Sequence, residues 1–408
     1  MSRSYDAIVL GVGGMGSAAC LELARRGFRV LGLEQYPLVH DRGSSHGHTR
    51  IIRTAYYEHP DYVPLLRRAW SGWYDLEQLT GRHLLTECPC LSVGPAGGEL
   101  VEGVRASARE HGLTVHELPE VKIGRAYPAF RGFPDGYVGM VEAAAGFLYV
   151  EDCVRAQIDA AVSLGAEVRA EEPVRSWKAV GDGVEVATDR GTYRAARLVV
   201  AAGAWATELL ADLGVPLTVM RQVLLWFDVG ELRPLFRRDA FPIFLADVPE
   251  GPFYGLPAID RYGLKVARHY GAPELPNPDG MTWETTDADA EPARRFLDEY
   301  VPGVGPLTKA RACMYTLTPD RHFVVDVHPL YPPVAVACGF SGHGFKFCPA
   351  VGAVLADLAE NGRTELPIGR FRATRFGVRT PPPNPLPRGE RGDRTTKSGP
   401  PSPPGGGG

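Results

Sequence analysis

Residues 5–10, Tyr-Asp-Ala-Ile-Val-Leu, form a short apolar run of the kind a buried strand presents. The glycine-rich stretch 11–16 follows, then a helical run from Ser17 to Arg26 closed by Gly27, then an apolar strand over 28–33 that ends at Glu34. Farther on, Val63, Leu66, Trp70, Trp73 and Leu76 or Leu79 recur at helical spacing within 61–80, and Gly81 marks the stop. Helices are also predicted over 99–110 and 151–164, the first stopping near Gly112 and the second at Gly165. Two runs at 184–188 and 192–196 flank the polar turn Asp189-Arg190-Gly191 and predict a hairpin, which leads into a buried strand over 198–204. From 222 to 318 the pattern changes to strand-like runs, 222–229, 242–248, 252–257, 263–269 and 308–318, with one helix near 291–300. That predicts a second, largely antiparallel domain. A buried strand returns at 334–338, followed by a helix over 349–361.

The N-terminal unit carries chemistry as well as pattern. Gly11, Gly13 and Gly16 fit G-x-G-x-x-G between a strand and a helix. The first glycine permits the tight turn, the second lets backbone approach a pyrophosphate, and the third lets the helix pack on the strand. The helix N-terminus then offers N–H groups to the phosphates. Glu34, 18 residues past Gly16, is placed to accept from a ribose hydroxyl. An acid there argues against a 2′-phosphate, but the loop alone does not separate FAD from NAD.

Composition splits the chain in two. Residues 377–408 hold 9 Pro and 8 Gly, no aromatic residue, and 5 basic against 2 acidic side chains, so this tail cannot build a core. The other 376 residues carry 39 basic and 46 acidic side chains, a size for about two domains and a charge that excludes a nucleic-acid footprint. No stretch approaches the ~18 apolar residues of a membrane span, and the N-terminus has no signal pattern. The expected location is therefore the cytoplasm. The seven cysteines form no C-x-x-C, so no metal site is predicted. Only six of the 44 basic residues are lysine: Lys122, Lys178, Lys265, Lys309, Lys346 and Lys397.

A nicotinamide enzyme would usually place a second mononucleotide half directly after the first. Here residues 40–53 instead form a polar, glycine-punctuated loop with three arginines. Within it lie Ser45-His46-Gly47 and Thr49-Arg50-Ile51-Ile52-Arg53. Farther along come Tyr254-Gly255, Gly263-Leu264-Lys265, Ala312-Cys313-Met314-Tyr315-Thr316, and Gly339-Phe340-Ser341-Gly342-His343-Gly344-Phe345-Lys346-Phe347. On these stretches, which keep the family's order from about residue 5 to 375, the chain closely resembles monomeric sarcosine oxidase and its relatives. That family sits among the flavin amine oxidases that include D-amino-acid oxidase. The tail after 376 has no counterpart there.

The resemblance implies an α/β and α+β fold. A discontinuous Rossmann-type FAD-binding domain would take residues 1–87, 148–219 and 319–376. An antiparallel-sheet substrate domain would take 88–147 and 220–318. It implies FAD held by Gly11, Gly13, Gly16, Glu34, Ser45, His46, Arg50, Val174, Gly342, Gly344 and Lys346. Read bare, Cys313 is a buried hydrophobe; by resemblance it carries the flavin through a thioether. Lys346 and Lys265 read bare as surface lysines, and Arg53 as a solvated loop arginine. By resemblance Arg53 and Lys346 hold a substrate carboxylate, and Lys265 promotes reaction of reduced flavin with oxygen. His269, Tyr254, Tyr315 and Tyr56, all on matched positions, would line the substrate cavity.

The implied reaction is oxidation of a small secondary amino acid by O2, sarcosine first, in a monomer without metal, membrane or nucleic-acid partner. The same chemistry on N-methyltryptophan, pipecolate or a secondary-metabolite amine is the alternative, with Leu245 and the Tyr56-Tyr57-Glu58 stretch as places where the cavity could be reshaped. A flavin dehydrogenase using a protein acceptor, and a non-catalytic FAD-binding protein, are alternatives of other classes. Retention of Arg53, Lys265, Cys313 and Lys346 speaks against the last.

Overall fold

The N-terminal apolar run becomes the strand Ser4–Leu10, buried from Ala7 to Leu10 apart from nothing larger than a 1% exposure. It lies parallel to Val30–Leu33 on one side and to residues 194–200 on the other. Glu167–Arg169 and Val334–Cys338 extend this parallel set at its two ends, and Val324–Val327 adds an antiparallel edge. The computed structural model describes residues 4–377; the Pro/Gly-rich tail, Gly377 excepted, lies outside the described residues.

The predicted hairpin arm and the buried strand after it are one element, Gly191–Val200. Its start pairs antiparallel with Gly183–Thr188, while 194–200 runs parallel to Ser4–Leu10. The apolar period changes along it because the sheet is covered on one face at the start and on both faces at the end. That change of period looks like an element boundary in sequence. Helix Gly14–Arg25 packs between helices Val150–Ser163 and Cys348–Asn361, and all three bury small residues where they touch.

The second sheet runs in the order 274–275, 218–227, 264–268, 251–256, 243–248, 90–95, 137–142, 116–119, with 307–317 on the free side of 218–227. Every pairing is antiparallel except that of Ile243–Val248 with Cys90–Pro95. Helix Asp287–Tyr300 covers its outer face, where Phe296 stacks on Phe244 and Phe253. A small sheet of Thr49–Ile52, Gly146–Tyr149 and Leu85–Glu87 completes the set. Among the described residues, no helix is long and apolar enough to cross a membrane.

Candidate active site

A cleft of about 930 Å³ is lined at one end by Glu34, Glu172 and Val174. Its lining continues through Gly11–Gly14, Ser44 and Ser45 and reaches Tyr254, His269, Tyr315 and Lys346. This volume is at the upper end of the range for small-molecule and cofactor sites.

The first end is built from backbone. A Cβ on Gly16 would stand 1.7 Å from the Gly11 carbonyl oxygen, so only glycine lets the helix start this close to the strand. The helix has no acidic residue in its first turn and no side-chain cap, which leaves its positive end open to an anion. Ser45 Oγ accepts from the Gly14 N–H at 3.0 Å and so ties the 40–53 loop to the glycine loop. Glu34 accepts from Val12 N–H (2.9 Å) and Tyr36 N–H (3.2 Å) while still lining the cleft. An extended cavity with an uncapped helix end beside a carboxylate fits a dinucleotide such as FAD.

The other end concentrates charge. Strand Thr49–Ile52 delivers Arg53, and Glu142 fixes the following turn by accepting from the Thr54 and Ala55 N–H groups at 2.8 and 3.1 Å. The Arg53 guanidinium is 2% exposed and lies 4.3 and 5.0 Å from the Tyr56 and Tyr57 ring centres. It donates to the Ala55 carbonyl (2.9 Å) and to Glu58 Oε2 (2.8 Å). Lys346, 6% exposed, donates to the His343 carbonyl at 2.7 Å and to Tyr56 Oη at 3.2 Å.

Burial alone would raise the Glu58 pKa, but Arg53, His343 and Lys346 outweigh it and hold the group down at about 2. Burial, helped by Arg53 and opposed by Glu58, lowers Lys346 to about 7. His269 Nδ1 is 3.2 Å from Tyr315 Oη, and its ring meets Tyr254 edge-on. Burial, with His343 next, pushes His269 down to about 3, so its ring is neutral. Gly342 has φ 82° and faces Tyr315, whose ring a Cβ would meet at 2.3 Å.

Five expected site residues, Gly16, His46, Tyr56, Lys265 and Cys313, stand behind the cleft wall rather than in its lining. Cys313 is fully buried, with Arg50 Nη2 3.6 Å from its Sγ. Burial pushes its thiol up, but His46 and Arg50 prevail and bring it to about 7. The six other thiols are all pushed up by burial. His46 is buried with Nε2 unpartnered, an atom available to a bound group. Lys265, 2% exposed, donates to the Gly47 and Thr49 carbonyls at 2.7 and 2.9 Å, and sits 5.2 Å from the Trp226 ring centre. Burial and then Arg50 depress its pKa strongly.

The structure thus brings Gly11, Gly13, Glu34, Ser45, Arg50, Arg53, Val174, Tyr254, His269, Tyr315, Gly342, Gly344 and Lys346 to one cavity. Gly16, His46, Tyr56, Lys265 and Cys313 form its second layer; Tyr56, expected in the lining, is fully buried because its hydroxyl is engaged by Lys346 and His343. Sequence reading missed the role of Glu58 as counter-ion to Arg53. It also missed the His343 side chain, although His343 lies inside the most distinctive motif. No group of three or more His, Cys, Asp or Glu among the described residues is placed to hold a metal.

The FAD dependent oxidoreductase (DAO) family model matches residues 6–358. A monomeric sarcosine oxidase from Streptomyces avermitilis is 43% identical over 383 residues, 93% of this chain and 99% of that one. An N-methyl-L-tryptophan oxidase from Yersinia pestis is 35% identical over 378 residues, covering 91% and 99%. Among solved structures, the open form of NikD, an unusual amino acid oxidase essential for nikkomycin biosynthesis, superposes with a TM-score of 0.80 at 27% identity, over 91% of this chain and 98% of that one. On a match that spans most of its length, this chain belongs to the FAD dependent oxidoreductase family, in the branch of the sarcosine and N-methyltryptophan oxidases, and is a flavin-dependent amine oxidase.

Proposed function

We propose that the protein oxidises sarcosine, converting sarcosine, O2 and water to glycine, formaldehyde and hydrogen peroxide. The observation that carries this reading is the pair of buried cationic side chains, Arg53, ion-paired with the cavity-lining Glu58, and Lys346, in a cavity walled by Tyr254, His269 and Tyr315. A substrate carboxylate can take the place that Glu58 holds on the guanidinium, because the fork accepts either anion. Bound FAD supplies the two-electron acceptor and returns the electrons to oxygen. The neutral His269 ring, hydrogen-bonded to Tyr315, adds no positive charge beside the substrate amine, so the amine is not further disfavoured in its cavity by a neighbouring imidazolium. The tyrosine walls exclude water until the oxidised substrate, an imine, is released to it.

We further infer that Cys313 carries the flavin, supported by its lowered thiol pKa beside His46 and Arg50. The buried Lys265 is our candidate for stabilising negative charge as oxygen is reduced. The division into a cofactor body (1–87, 148–219, 319–376) and a substrate body (88–147, 220–318) belongs to the same reading. It is supported by sheet membership, with only strands 146–149 and 218–227 straddling a boundary. A cytoplasmic monomer is proposed; seven unpaired thiols suit a reducing compartment, and the Streptomyces avermitilis relative is a monomeric sarcosine oxidase by name.

A peroxide-coupled screen of N-methyl and cyclic amino acids on purified yellow protein tests the activity; sarcosine should lead. Peroxide from N-methyltryptophan or pipecolate but not from sarcosine would overturn the assignment. Acid-precipitated wild type should stay yellow, and Cys313→Ser should give a white pellet; a white wild-type pellet would exclude the thioether.

A further inference from the structure

Lys346 sits at the head of a chain of hydrogen bonds that the proposed reaction leaves unused. Its Nζ donates to Tyr56 Oη at 3.2 Å, Tyr56 Oη is 2.6 Å from His343 Nδ1, and His343 Nε2 is 3.0 Å from the Arg321 carbonyl oxygen. A carbonyl can only accept, so the ring proton is on Nε2. The ring is neutral, because burial lowers its pKa to about 4, with Lys346 adding to that and Glu58 opposing it. Its Nδ1 is then an acceptor, and the Tyr56 hydroxyl must donate to it. That turns the tyrosine lone pairs toward Lys346. The direction runs from Lys346 N–H to Tyr56, from Tyr56 O–H to His343, and from His343 N–H to Arg321. Arg321 itself is held at φ 61°, a conformation that costs a non-glycine residue and clusters at functional sites.

We propose that Tyr56 and His343 are positioning residues that keep the proton on Lys346, and so keep the carboxylate anchor doubly cationic at neutral pH. The proposal rests on Lys346 being a carboxylate ligand. The surrounding charges make such support necessary. Arg53 and Arg50 repel the ammonium, while Glu58 favours it. Helix Val63–Thr80 contributes no charge at this contact, only the Trp73 N–H that binds the Lys346 carbonyl at 2.9 Å. With burial, these neighbouring charges leave Lys346 titrating at about 7, where the loss of one acceptor tips it to the neutral amine.

The test uses flavin-loaded wild type, Tyr56→Phe, His343→Leu and His343→Asn, titrated with methoxyacetate. This probe keeps the carboxylate but has no oxidisable amine, and binding is read from the flavin's visible spectrum. Wild-type affinity should fall as pH rises through about 7. In Tyr56→Phe and His343→Leu the fall should begin about one pH unit lower, which makes binding about fivefold weaker at pH 7, about tenfold weaker above pH 8, and unchanged in mild acid. His343→Asn, whose amide oxygen can replace Nδ1 as acceptor, should return the wild-type profile. Equal weakening at every pH, or an unshifted fall in Tyr56→Phe, would overturn the relay alone. No methoxyacetate binding by wild type at any pH would overturn the carboxylate anchor and the relay with it.

Discussion

The two ends of the cleft recognise their ligands by opposite means. At the glycine-loop end the contacts come from backbone and from side chains that are missing, within one stretch of chain plus Glu34 and Ser45. At the other end, charged and aromatic groups arrive from residues 53–58, 254, 269, 315 and 343–346, and burial sets their protonation. The first end is limited by shape and should be indifferent to pH. The second is limited by electrostatics and should respond to it. Lys265 lies between these regimes, a buried cation fixed by the backbone carbonyls of 47 and 49.

The largest effect should come from the shape-limited end. Gly16→Val puts a side chain where even a Cβ is 1.7 Å from a carbonyl oxygen, so purified protein should carry essentially no flavin per mole. Normal loading would mean that the helix can shift and that shape is not the limit.

Next, Lys265→Met should slow reoxidation of the reduced enzyme by oxygen about a hundredfold, the scale of losing one preorganised charge-stabilising donor. Reduction by substrate should change far less, as stopped-flow measurement of the two half-reactions would show. Equal slowing of both would place Lys265 with the substrate anchor instead.

Arg53→Ala should weaken carboxylate binding by about 2–3 kcal/mol, the worth of hydrogen bonds to a charged group, with flavin content unchanged. It also leaves the mostly enclosed Glu58 carboxylate without its ion-pair partner, so the variant should melt lower than wild type. Lost flavin in this variant would erase the distinction between the two ends.

The contrast also explains what could be read from the chain. The glycine loop, its flanking strands and Glu34 are contiguous, so pattern and spacing locate them before any contact is known. The family motifs and the scarcity of lysine pointed to Lys265 and Lys346, which are buried against the habit of their type. Strands 90–95, 116–119 and 137–142 escaped notice because they are short and interrupted by glycine or proline. The Arg53–Glu58 pair joins two loop residues with no period to mark it. The orientation of His343 depends on a carbonyl 22 residues away, which only the folded chain supplies.

The central claim is that this cavity delivers electrons from sarcosine to a bound flavin. Its most direct test is to mix yellow holoenzyme with sarcosine in the absence of oxygen and follow the flavin's visible absorbance. The account predicts full bleaching, with colour restored and one equivalent of peroxide formed when oxygen is admitted. Unbleached flavin at saturating sarcosine would contradict it.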